Sequence, residues 1–155
     1  MKKIVYLVIC LTLFLVISGC ATPMMVGLHK NSQGYIPSAN PNKGLIYIYR
    51  EKEDFGCLRG IYVTADGKRI GGLNSGSYFV YEADPGDVAI SVENWLSDNP
   101  TRKIHVEAGK KYYLKGSLKL GILDASPHIE IVNDAEGEAS IGSLTYATLK
   151  YLEKQ

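Results

Sequence analysis

Two apolar patterns divide the chain. From Ile4 to Ile17 fourteen mostly apolar residues run without a break, behind Lys2 and Lys3. From Gly44 onward apolar positions recur with period two, the spacing of half-buried strands. Leu45-Ile46-Tyr47-Ile48-Tyr49 is apolar on both phases, as a central strand requires. Ile61, Val63 and Ala65 alternate with Tyr62 and Thr64 and end at Asp66-Gly67, a favoured type I′ hairpin pair. Lys68–Leu73 returns, Asn74-Ser75-Gly76 turns, and Ser77–Tyr81 forms the next strand. Asp84-Pro85-Gly86 opens a run in which Val88, Ile90 and Val92 share one face. After the Ser97–Pro100 turn, Ile104 and Val106 alternate with Lys103, His105 and Glu107. Tyr112, Leu114 and Leu118 follow, then Ile129 and Ile131.

Seven or eight short strands with turn signals about every ten residues predict an all-β fold, a single sandwich of mostly antiparallel strands. No helical pattern of ten residues separates the strands, which argues against parallel crossover architectures. Asn133–Gly137 reads as a loop. Ser143 is placed to cap a short C-terminal helix through Gln155, with Ile141, Leu144, Tyr151 and Leu152 on one face.

The N-terminal run is too short to cross a hydrocarbon core of ~30 Å comfortably and has the basic flank of a secretory signal. It ends in Ile17-Ser18-Gly19-Cys20. This resembles the bacterial lipobox, which implies that Cys20 receives diacylglycerol on sulfur, becomes the first residue after cleavage, and is N-palmitoylated. Each buried methylene contributes ~0.8 kcal/mol, so more than one chain gives a stable hold on a bilayer. By resemblance to enteric lipoproteins, Ala21 at the next position implies sorting to the outer membrane, with the domain facing the periplasm. The expected organisation is a signal peptide at 1–19, an acylated cysteine and tether at 20–43, and a β-sandwich with its helix at 44–155. Pro23, Pro37 and Pro41 with scattered Gly, Ser and Asn mark 21–43 as linker, about 26 Å long as a flexible coil.

The formal net charge of +1 and pI near 7.7 lack the basic stripe of a nucleic-acid binder. Loss of Lys2 and Lys3 with the signal leaves 15 basic and 16 acidic residues. Of three cysteines, Cys10 departs with the signal and Cys20 is capped. Cys57 remains as a lone thiol, either shielded within the fold or paired with another chain.

Two further stretches carry a family likeness. Val63–Gly71, then Gly76-Ser77-Tyr78-Phe79, then Pro85–Val92 resemble the PEGA-type, prealbumin-like sandwiches. Lys43–Arg50, the Gly76–Phe79 turn and Gly109–Tyr113 resemble, more closely, a family of short bacterial lipoproteins described as a domain of unknown function. The likeness spans about residues 36 to 140. Many members carry a histidine where Asp87 stands here, which removes a histidine role at that turn. The resemblance implies a fold and a location; it implies no reaction.

Chemistry is sparse. Cys57 has no nucleophile motif around it, and His105 and His128 fall on the polar phases of their strands. No His-x-x-x-His, paired cysteine or calcium loop occurs. Carboxylates cluster at Glu51, Glu53 and Asp54 and at Asp134, Glu136 and Glu138. A glycosidase would need two such groups across a cleft, one with a raised pKa. Tyr47, Tyr49 and Tyr112 read as sheet packing. Tyr62, on a polar phase, and Trp95, near a turn, are candidate contacts for an envelope protein or glycan partner. The expected function is a membrane-anchored, non-catalytic binding or scaffolding module of the envelope. The competing expectation is an envelope-polymer hydrolase that uses Cys57 or the loop carboxylates.

Overall fold

A computed structural model describes residues 40–54, 59–94, 98–120 and 125–146. The signal segment, Cys20, the tether to residue 39, Cys57, Trp95 and residues 147–155 lie outside the described residues. The strands are β1 (Gly44–Arg50), β2 (Ile61–Ala65), β3 (Lys68–Leu73), β4 (Ser77–Ala83) and β5 (Gly86–Val92). They continue with β6 (Thr101–Val106), β7 (Lys111–Leu120), β8 (Ala125–Val132) and β9 (Thr145–Tyr146), and helix α1 spans Asp134–Ile141.

Two sheets form, in the orders β8-β7-β1-β4-β9 and β3-β2-β5-β6. The all-β sandwich expected from the alternation is present, with nine strands among the described residues where seven or eight are expected. β1 lies at the centre of the larger sheet, antiparallel to β4 and parallel to β7. The second parallel contact is the short one between β4 and β9. Ile46, Ile48, Phe79, Leu114, Leu118 and Ile129 from one sheet meet Ile61, Val63, Leu73, Ile90, Val92 and Ile104 from the other. Close approach between the sheets depends on small residues. A Cβ on Gly71 of β3 would strike the Phe79 ring, and one on Gly116 of β7 would lie 2.8 Å from Leu73.

The Asp66-Gly67 turn has positive φ at both residues, 48° and 79°, which is the type I′ geometry. A short C-terminal helix is present as expected, but at Asp134–Ile141, where a loop is expected. Ser143 lies in the turn before β9, its Oγ donating to the Ser140 carbonyl, and the rest of the expected helix, 147–155, lies outside the described residues. Asn133 is the N-cap, its side chain accepting from the Glu136 N–H at 3.0 Å, with Asp134 and Glu136 favourably placed in the first turn. Gly137 is a poor helix former, but a Cβ there would collide with the Tyr113 ring, so helix-to-sheet contact selects it. Ile131 is on the inward phase yet half exposed, near the end of edge strand β8.

Gly71→Ala is expected to lower stability by about 1–3 kcal/mol through overpacking against Phe79. Urea unfolding measures this; an unchanged midpoint would place Gly71 away from the sheet interface.

Candidate functional site

The end of β1 builds a cleft. Arg50 follows Ile46 and Ile48 on the inward phase and is fully buried. Its guanidinium donates through Nε and Nη2 to Glu53 Oε2, at 3.2 and 3.0 Å, and through Nη1 to the Arg59 carbonyl at 2.6 Å. A cation held in a dry interior needs this kind of paired, hydrogen-bonded surrounding. The chain after β1 is therefore folded back across the end of the sandwich. Ser75 fixes it further: its Oγ accepts from the Glu53 N–H at 2.8 Å and donates to the Glu53 carbonyl at 3.0 Å. The Gly76 N–H donates to the Glu51 carbonyl, and the Thr145 N–H to the Gly76 carbonyl.

Three segments laced in this way line an open cleft of about 880 Å³. They are Glu51–Asp54, Ser75 with Gly76, and Ser140 with Ser143–Thr145. The cleft lies at the Arg50 end of β1. The chain from residue 40 enters at the other end, where the Lys43 N–H donates to the Asn40 carbonyl and Lys43 pairs with Asp84 at 3.2 Å. Six residue steps of strand, about 20 Å, separate the two ends.

The two carboxylate clusters of the sequence come together beside the cleft through one lysine. Lys115 Nζ is 2.8 Å from Glu51 Oε2 and 4.0 Å from Glu136 Oε1, and Ser140 donates to Glu51 Oε1 at 3.3 Å. Asp134, Glu136 and Glu138 are helical rather than in a loop. The hydrogen bond from Lys115 holds the Glu51 carboxyl below its usual range, and Glu51 in turn raises Lys115. Both shifts favour the charged forms; neither yields the proton donor a glycosidase needs.

Beneath α1 the outward phase of the larger sheet is tyrosine-rich. Tyr47 stacks on Tyr113 at 5.2 Å, and Tyr78 meets Tyr146 edge-on at 5.4 Å. Burial, first of all, pushes the Tyr47, Tyr49, Tyr78 and Tyr113 phenols up, so they stay protonated. Tyr49 is fully buried, as expected of a packing residue, and its hydroxyl has no hydrogen-bond partner. Ser140 lies near enough to offset part of its shift without making that bond. Sequence reasoning missed this constellation, because the helix that covers it reads as a loop.

Tyr62 lies elsewhere, half-buried on the outer side of the smaller sheet. Arg69 covers one face of its ring at 3.7 Å, and Arg69 Nε donates to Glu93 Oε1 at 2.8 Å. That pairing, chiefly, raises the Arg69 pKa. His105 is exposed and lies 2.6 Å from Asp87, while His128 is half-buried and burial lowers its pKa. Among the described residues no group of three or more His, Cys, Asp or Glu is placed to hold a metal.

Residues 40–129 match a family described as "Protein of unknown function (DUF2846)". The chain belongs to the DUF2846 family. The DUF2846 match takes in β1 to β7 and the first half of β8, and includes Arg50, Glu53 and Ser75; α1 and β9 follow it. The chain is also similar to an uncharacterized protein of Haemophilus influenzae, with 29% identity over 135 residues. That alignment covers 86% of this DUF2846 chain and 79% of the relative.

Arg50→Met is expected to cost about 2–4 kcal/mol, because Glu53 and the Arg59 carbonyl lose a buried partner. Arg50→Lys should recover less than half of that loss, since an ammonium cannot make the two-pronged contact. Equilibrium unfolding tests both, and equal stability of Lys and Met variants would contradict the geometry. The Glu51–Lys115 pair also has a pH signature. With Glu51 depressed from 4.5, its contribution is present above that value and is lost as pH falls through the folded pKa. With Lys115 raised from 10.5, its contribution is present below that value and is lost as pH rises through the folded pKa. The Tm difference between wild type and Lys115→Met should therefore be largest between about pH 5 and 10 and shrink on either side.

Proposed function

We propose that the protein is an envelope lipoprotein, anchored through acylated Cys20, whose sandwich acts as a non-catalytic binding or scaffolding module. The observation that carries the binding half is the state of the cleft's ionisable groups. Glu51 is engaged by Lys115 and Glu53 by Arg50, and the resolved pKa shifts stabilise charge rather than prepare a proton transfer. Such a cleft offers fixed polar groups for recognition. The anchoring half rests on Lys2, Lys3, the apolar run and Ser18-Gly19-Cys20. Ala21 favours the outer membrane and a periplasmic orientation, and the Asp66-Gly67 and Pro85-Gly86 signals favour PEGA-like kinship. The cleft lies at the opposite end of β1 from Lys43. Tyr62, half-buried with Arg69 over its ring, and Trp95 are the candidate partner contacts in this reading.

Mass spectrometry of the mature amino-terminal peptide should find diacylglycerol and palmitate on Cys20, and Cys20→Ser should abolish both. An unmodified amino end removes the anchor from the reading. Crosslinking in intact cells should recover a defined envelope partner, with recovery reduced several-fold by Asp54→Lys or Tyr62→Ala. Release of products from cell-wall fragments, lost in Cys57→Ala or Glu136→Ala, would instead establish the hydrolase.

A further inference from the structure

Helix α1 rests on the larger sheet through Gly137 on the Tyr113 ring and the half-buried Ile141, and no side chain of α1 is fully buried. Of its eight residues, Gly137 is the buried one, and it contributes no side chain. Polar contacts tie the rest of α1 to the sheet. Glu138 Oε1 is 3.8 Å from Lys111 Nζ and accepts from the Tyr113 hydroxyl at 3.3 Å. Glu136 reaches Lys115 at 4.0 Å, and Ser140 donates to Glu51, itself paired with Lys115. Exposed ion pairs of this length hold weakly. Below the helix the Tyr49 hydroxyl is sealed from water without a hydrogen bond, which penalises the closed arrangement.

We propose that α1 is an acid-released strap: protonation of Glu51, Glu136 and Glu138 frees it from Lys111 and Lys115, hydrates Tyr49 and opens the cleft wall at Ser140–Thr145. Lifting α1 relieves the stranded phenol, so carboxylate charge opposes a built-in bias toward opening. The ionisable groups around α1 among the described residues are Tyr47 and Tyr49 on β1, Glu51 just after it, Lys111, Tyr113 and Lys115 on β7, and Tyr78 of β4 beside Tyr47. Glu130 on β8 stands opposite Lys115, and α1 itself carries Asp134, Glu136 and Glu138. Lysines and tyrosines hold their protons throughout the acid range, which leaves the carboxylates to set the transition. The hydrogen bond from Lys115 holds the Glu51 carboxyl below its usual range, so this contact yields only to more acid than a free carboxylate needs. The consequence for the cleft rests on the proposed binding function; the movement of α1 does not.

Hydrogen exchange on the full chain in detergent separates the two. After correction for the intrinsic rate, exchange in residues 134–144 should rise at least ten-fold between pH 7 and pH 3.5, while β1 and β7 amides stay protected. The double variant Glu136→Gln, Glu138→Gln should give most of that rise at pH 7. Tyr49→Phe, which removes the stranded hydroxyl, should slow exchange of α1 about five-fold. Equal protection of α1 at both pH values, or its loss together with β1 and β7, would overturn the strap. No effect of Tyr49→Phe would overturn the bias. Failure to find a cleft partner would leave all of these readings unchanged.

Discussion

A guanidinium carried into the dry end of a sandwich has to be met there. Arg50 is fully buried at the end of the central strand, and the backbone after it bends so that Glu53 and the Arg59 carbonyl reach the charge. Once Glu53 is fixed, Ser75 is fixed through its two hydrogen bonds to the Glu53 backbone, and the Asn74–Ser77 turn is fixed through Ser77. The cleft is thus a by-product of neutralising one cation. The Glu51–Asp54 side of its wall is pinned by these hydrogen bonds, and Glu51 and Glu53 are engaged in ion pairs rather than poised for proton transfer.

The two faces of the sandwich are finished differently. The smaller sheet leaves its outer side to residues such as Tyr62, Thr101 and His105, with charges paired along the surface. The larger sheet carries tyrosines outward and covers them with a short acidic helix. The second arrangement is held by ion pairs over an aromatic bed, so it responds to pH in a way the hydrophobic core does not.

Most of the β pattern was legible in the sequence because a period of two is stated by adjacent residues. Val88, Ile90 and Val92 are buried as their spacing implies, and Asp66-Gly67 turns as its chemistry implies. The central position of β1 was legible from apolar residues on both phases. The helix was not. Asn133 and Gly137 are turn formers by composition, and the reason a glycine belongs in that helix is a tyrosine on β7, more than twenty positions away. The Arg50 cluster was hidden for a related reason. An arginine at the end of a strand looks exposed until the loop that covers it is known.

The parallel pairing of β1 with β7 has a consequence for how the chain matures. Leu45 must wait for Lys111, so the most apolar strand is made first and acquires one of its two neighbours last. Contacts of such sequence separation slow folding and leave an aggregation-prone segment bare in the meantime. A chain interrupted before residue 111 cannot close the larger sheet around β1. Leu45–Tyr49 therefore stays without one of its two strand neighbours until residues 111–115 have been made.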